Sequence, residues 1–253
     1  MENNLPIFKQ KKLIYKGKFI SYYIKEYEVK KEDKQPITIP YEVIEYNFHN
    51  NEKNEENNGF ITKNKYNIYV VSILAIIKYS TKKPKILVIG NFRYPIEKFC
   101  LELPGGIIDK SDLSNDDFHK AIENACLREL EEETGYKGKF LNYSSGGELS
   151  RYNKGSLNKE EQLNIGSNIF TDPWKSCDNA IQCIIEIDGD NENNIRKQNL
   201  DESELIQVFE VEVENLMEFI NTKIHKDNFA CCTLLYNLAL GINFNKFLKN
   251  EIN

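Results

Sequence analysis

Read from the N-terminus for apolar against polar positions, the chain first shows an imperfect alternation over residues 13–29, rich in tyrosine and isoleucine. Alternation sends successive side chains to opposite faces and predicts one or two strands. A charged turn at 30–35 and a second strand-like run at 37–48 complete an N-terminal antiparallel β-hairpin region. Residues 69–79 are almost continuously apolar, as a buried strand requires, and Pro84 separates them from a further strand at 85–92. The period then changes to that of a helix, running from Asp116 or Asp117 as its cap to Thr134, with Gly135 placed to end it. Its apolar residues Ile122, Ala125, Leu127 and Leu130 do not share one narrow stripe, so cover on more than one side is expected. Strands return at 180–187 and 205–213, followed by a helix at 216–223 and a strongly apolar helix at 227–240 closed by Gly241. Strands on both sides of a central helix predict an α/β chain, a mixed sheet flanked by helices.

Two stretches carry no such period. Residues 50–58 are almost wholly Asn, Glu and Lys, and 146–166 are polar and glycine-containing; both read as loops or insertions. The 253 residues are 40% hydrophobic and 28% charged, enough to bury one large core or two small ones. A net charge of −6 argues against nucleic acid or a membrane surface as partner, since either favours a basic face. No apolar run is long enough to span a bilayer, and Met1-Glu2-Asn3-Asn4-Leu5-Pro6 lacks a basic-then-apolar leader, so a cytoplasmic protein is expected. The six cysteines (100, 126, 177, 183, 231, 232) show no CxxC spacing and read as reduced thiols. His49, His119 and His225 stand far apart, with no sign of a triad.

The chemistry concentrates in residues 101–136. A tight Leu103-Pro104-Gly105-Gly106 turn precedes the helix, whose last two turns read Arg128-Glu129-Leu130-Glu131-Glu132-Glu133-Thr134-Gly135-Tyr136. Glu129 and Glu133 are four apart and share a face, with Glu132 one turn from Glu129, and Arg128 can pair with Glu132. Carboxylates at helical spacing repel one another, and a divalent cation with its preference for oxygen ligands would reverse the sign.

This arrangement resembles the Nudix box, Gly-x5-Glu-x7-Arg-Glu-U-x-Glu-Glu-x-Gly-U with U a bulky apolar residue. Residues 128–136 fill its second half without a mismatch. In the first half, counted from Gly106, Asp112 stands where a glutamate is expected, and an insertion over about 113–120 lengthens the path to Arg128. The resemblance implies a Nudix α/β/α sandwich, here with residues 1–60 as the hairpin region. Residues 61–253 would form the hydrolase domain, carrying insertions near 111–120 and 146–168. It implies Mg²⁺, with Mn²⁺ as the alternative, held by Glu129, Glu132 and Glu133 near the Gly105 carbonyl. The ion would neutralise phosphate and activate water.

Three further motifs resemble the ADP-ribose and ADP-sugar pyrophosphatase group. They are Glu102-Leu103-Pro104-Gly105-Gly106-Ile107-Ile108-Asp109, Asn91-Phe92-Arg93-Tyr94-Pro95, and the box's own extension through Gly138; Pro173 adds a proline downstream. By that resemblance Arg93 contacts a substrate phosphate, Phe19 and Tyr41 sandwich adenine, and the N-terminal strands are exchanged within a homodimer. Glu204 would act as catalytic base, with Glu132 the other carboxylate assigned to catalysis. The implied activity is metal-dependent hydrolysis of the pyrophosphate of ADP-ribose or a related ADP-sugar, giving AMP and a sugar phosphate. Two alternatives stay open: hydrolysis of another nucleoside diphosphate derivative, such as an oxidised nucleotide or dinucleotide, and a non-catalytic nucleotide-sensing module.

Overall fold

The computed structural model describes residues 5–18, 20–30, 35–46, 70–113, 118–143, 172–176, 180–192, 194 and 197–251. They fall into two compact units, one drawn from residues 1–69 and 163–180 and the other from 70–162 and 181–253. The polar stretches at 50–58 and 146–166 lie outside the described residues, as do the proposed helix caps Asp116 and Asp117.

The first unit is an antiparallel meander of three ten-residue strands, β1 (Ile7–Lys16), β2 (Ile20–Val29) and β3 (Ile37–Tyr46), in that spatial order. The sequence pattern predicted a hairpin, and the structure adds a strand on its outer edge. Every side chain of β1 is exposed, so no apolar face marks its first half in the sequence. Its pairing runs from Ile7 opposite Glu28 to Lys16 opposite Ser21, and cross-strand pairs such as Lys9–Glu28 at 2.8 Å lie along it. Among the described residues only Ser21 and Val43 of this sheet are buried. Residues 172–176 add to β3, where the Ile44 N–H donates to the Lys175 carbonyl at 3.0 Å.

The second unit is an eight-stranded mixed sheet between helices. Its strands are β4 (Val70–Lys78), β5 (Lys85–Arg93), β6 (Lys98–Glu102), β7 (Gly105–Ile107), β8 (Lys139–Tyr143), β9 (Ala180–Asp188), β10 (Ile206–Glu212) and β11 (Ala230–Cys231). The main order is β11-β6-β5-β4-β9-β8, with β10 also on β5 and β7 on β4. Strands β11 and β6 run parallel, while β5 is antiparallel to β4, β6 and β10. In β4 burial alternates strictly: Val71, Ile73, Ala75 and Ile77 are wholly buried, while Leu74 and Ile76 turn to the opposite face. On that opposite face Ile86, Val88, Leu101 and Leu103 pack with Leu216, Ile220, Leu235 and Ala239 from α2 (Leu216–Asp227) and α3 (Thr233–Glu251). Helix α1 (Phe118–Thr134) contacts β4, β7 and β8 and closes the other face. This is the expected α/β/α sandwich.

The buried residues of α1 are His119, Ala121, Ile122, Ala125, Cys126, Leu130, Glu133 and Thr134, and only Glu131 is exposed between His119 and Thr134. The helix is covered nearly all round, as its scattered apolar residues imply. Helix α3 departs from expectation at both ends. It begins after β11, because Asn228 in the left-handed region (φ 58°) ends α2 and Ala230–Cys231 pairs with β6. It then runs through Gly241 to Glu251. A mid-helix glycine costs about 1 kcal/mol relative to alanine, less than the burial of Leu235 and Ala239 on one side and the packing of Ile242 on the other supply.

Candidate active site

The site is built where the β6–β7 turn meets the last two turns of α1. Gly105 has φ 154°, and a Cβ there would lie 2.1 Å from the Val71 carbonyl oxygen, so only glycine lets β7 run this close to β4. The Gly105 N–H donates to Glu133 Oε2 at 2.7 Å, and Glu133 is 3% exposed. At Gly106 a Cβ would come within 2.4 Å of Glu129 Oε1; here the missing side chain makes room for a carboxylate. The Pro-Gly-Gly turn and the acidic helix therefore fit one another atom against atom.

Arg128 organises the acidic groups. Its Nε and Nη2 grip both oxygens of Asp112 at 3.0 and 2.8 Å, and Nη1 donates to Glu129 and to Glu132, each at 2.9 Å. Nη2 also reaches the Ile107 carbonyl at 2.9 Å, tying the guanidinium to β7. The expected Arg128–Glu132 pair is present, and Asp112 has a definite place. It is 3% exposed, and besides the bidentate pair it accepts the Asp109 N–H at 2.8 Å in a reciprocal capping box with Asp109. The Asn124 side-chain amide donates to its carbonyl at 2.9 Å. The shorter aspartate thus closes on Arg128 from a 3₁₀ turn over Lys110–Asp112.

Three carboxylates on one guanidinium leave the cluster net negative before Glu133 is counted. The charge balance shows in the protonation equilibria. Burial, with the negative charges of Glu132 and Glu204 added, pushes the Glu129 carboxyl up to about 7 against the pull of Arg128. Burial likewise raises Glu133 well above the usual range, helped by Glu129, Glu204 and Glu102 and opposed by the Gly105 N–H. Carboxyls raised by burial and by one another mark a place short of positive charge. The donor chemistry suits a hard divalent cation. As placed, Glu129 and Glu132 turn to Arg128 and Glu133 turns to Gly105. Among the described residues no three acidic, histidine or cysteine side chains converge on one point.

Arg93 ends β5 with its side chain half exposed, and its Nε and Nη2 hold the two oxygens of Glu102 at 2.8 and 2.5 Å. That pair, unread in the sequence, raises the guanidinium's pKa further above its usual value. Glu204 lies in the same unit, half-buried, with Oε2 accepting the Asp201 N–H at 2.9 Å. Its charge is felt at both Glu129 and Glu133, which brings it to the acidic cluster. In the first unit the Tyr41 hydroxyl donates to the Trp174 carbonyl at 2.7 Å, and both aromatic side chains are exposed. Phe19 lies outside the described residues.

No family model matches the chain. An ADP-ribose pyrophosphatase of Saccharomyces cerevisiae is 30% identical over 174 residues, 68% of this chain and 62% of the yeast protein. An uncharacterized Nudix hydrolase of Schizosaccharomyces pombe is 29% identical over 183 residues, 72% of this chain and 74% of its own length. The chain is thus similar in sequence to Nudix hydrolases over about seven tenths of its length. A mouse ADP-sugar pyrophosphatase is 35% identical over a shorter stretch of 74 residues, 29% of this chain and 30% of the mouse protein. The chain therefore spans about three fifths of its yeast relative and less than a third of the mouse one. A divalent metal is the cofactor class that accompanies Nudix hydrolases. Among the described residues no helix is long and apolar enough to cross a membrane.

Proposed function

We propose that this chain is a Nudix enzyme that hydrolyses the pyrophosphate bond of ADP-ribose or a related ADP-sugar, releasing AMP and a sugar phosphate. One observation carries the reading: buried Glu133 and half-buried Glu129 stand beside a glycine turn shaped to admit them, in a cluster with more carboxylates than cations. Glu129, Glu132 and Glu133, with the Gly105 carbonyl, are the groups that would hold Mg²⁺ or Mn²⁺. The bound ion supplies charge neutralisation at the diphosphate and acidifies water. The chain's own groups do the rest. Arg93, steadied by Glu102, offers its exposed edge to a phosphate oxygen. Glu204 takes the proton as water adds to phosphorus and the bridging P–O bond breaks. Arg128 keeps Glu129 and Glu132 in their rotamers and neutralises part of their charge.

The same reading assigns Phe19 and Tyr41 to stacking on adenine, makes the enzyme a homodimer through the N-terminal strands, and sets it in the cytoplasm. Residues 1–60 would serve as the dimerising and base-binding region and 61–253 as the hydrolase domain. Incubation of the purified chain with Mg²⁺ or Mn²⁺ and ADP-ribose, followed by chromatography of the nucleotides, should show AMP accumulating. An absence of AMP from ADP-ribose and from a panel of ADP-sugars would overturn the substrate assignment.

A further inference from the structure

The segment that carries Glu204 is fastened to the acidic helix by a residue outside the Nudix box. Gln198, half-buried, donates from its side-chain amide to the Glu133 carbonyl at 2.6 Å and to the Ile206 carbonyl at 3.3 Å. One amide group thus bridges the C-terminal turn of α1 to the first residue of β10. Next to it the Asn199 N–H donates to the Glu132 carbonyl at 2.8 Å. These two bonds satisfy carbonyls that the last turn of a helix leaves without intrahelical partners, and they fall on Glu132 and Glu133.

Beyond Gln198 the segment folds on itself and reaches the other side of the site. The Asp201 N–H donates to Glu204 Oε2, and the Glu204 N–H donates to the Asp201 carbonyl at 3.0 Å, so the glutamate caps the turn that presents it. The Leu205 carbonyl accepts the Phe92 N–H at 3.0 Å, and the Tyr94 hydroxyl reaches the Ser203 carbonyl at 3.3 Å, on either side of Arg93. Residues 198–205 therefore form a strap from the metal-binding turn of α1 to the phosphate-binding end of β5.

We propose that Gln198 is a positioning residue for the hydrolysis proposed above: its amide sets the register of this strap on α1 and so the distance of the Glu204 carboxylate from Glu129 and Glu133. The inference rests on that hydrolase reading. Its physical basis is that both contacts of Gln198 are donations to main-chain carbonyls, which a carboxylate of the same shape cannot make.

The test compares Gln198→Glu, which keeps the shape and loses the donor, with Gln198→Lys, which keeps a donor on a longer stem. Steady-state hydrolysis of ADP-ribose and amide hydrogen exchange across the chain are measured for both. Gln198→Glu should lose roughly tenfold or more in kcat, with KM within about twofold of wild type, the scale expected when a catalytic group is displaced by about an ångström. Exchange should quicken over 199–205 and stay unchanged over β4 and β5. Gln198→Lys should recover at least half of the lost kcat. Wild-type kcat in Gln198→Glu, a loss that Gln198→Lys does not recover, or faster exchange throughout β4 and β5 would each overturn the positioning role. Failure of the underlying hydrolase reading is distinguishable: the wild-type protein itself would release no AMP.

Discussion

The site holds two arginines, and they are used in opposite ways. Arg128 is only 27% exposed and is bonded to three carboxylates and a carbonyl. Arg93 is 50% exposed and holds one carboxylate through two of its nitrogens. A guanidinium whose donors are all directed inward organises its surroundings; one gripped along a single edge keeps another edge for a ligand. On the proposed reading, the contrast separates the part of the site that must be assembled for the fold to stand from the part left to meet substrate.

The strongest test of that contrast is Arg128→Ala. It leaves buried Asp112 without its counter-ion and releases β7 from α1. Breaking a buried pair from one side costs about 3–5 kcal/mol, so the urea midpoint should fall steeply and hydrolysis should vanish. A variant as stable as wild type would show that Arg128 does not hold the site together. By the same comparison Arg93→Ala should be mild in stability, ~1 kcal/mol or less for a half-exposed pair. Its KM for ADP-ribose should rise roughly tenfold, the value of one charged hydrogen bond. An unchanged KM would remove Arg93 from phosphate binding.

Between these two effects lie the helix carboxylates. Glu129→Gln and Glu133→Gln should each lower kcat roughly 100-fold or more, the scale of removing a group that stabilises transition-state charge; full activity in either would sink the metal-site assignment. Stability should move the other way. Because the folded-state pKa of Glu129 is raised to about 7, the metal-free wild type gains stability from this group below the unfolded value. It loses that gain as pH climbs through about 7. Glu129→Gln should remove this dependence and be more stable at pH 8 by about 1–3 kcal/mol in chelator. A metal-free unfolding free energy that stays flat from pH 5 to 8 would contradict the charge imbalance described here.

How far the sequence announced this architecture differs by element, for physical reasons. Strands β4, β5, β9 and β10 and helix α1 bury one face or more, so their apolar spacing is visible in the chain. Strand β1 buries nothing, and its first half, Ile7-Phe8 followed by four polar residues, shows no apolar alternation. Gly241 looked like a helix stop because the local signal is strong, yet packing around Leu235, Ala239 and Ile242 carries α3 past it. Within the site the Arg128 to Tyr136 motif was readable because charge at that spacing is rare. The Arg93–Glu102 pair was not, since the two residues are nine apart and meet only through the β5–β6 pairing that sets Arg93 opposite Lys98. Gln198 carries no signal at all in a chain so rich in amides; its role is visible only in the carbonyls it reaches.

The smallest expected effect concerns Asp112, the residue that, ahead of the insertion over about 113–120, replaces the glutamate of the box pattern. Aspartate works because the 3₁₀ turn brings its main chain close enough for the shorter carboxylate to span to Arg128 while still taking the Asp109 N–H. Glutamate has the same charge and one methylene more, and that extra length must fit a site 3% exposed. Overpacking of this size costs about 1–3 kcal/mol, and retention of the bidentate pair puts Asp112→Glu at the low end. Its kcat should stay within about threefold of wild type, because Arg128 can still orient Glu129 and Glu132. A loss as large as that of Arg128→Ala would mean that the position requires the aspartate's reach as well as its charge, and the turn over Lys110–Asp112 would then be as much a part of the site as the helix.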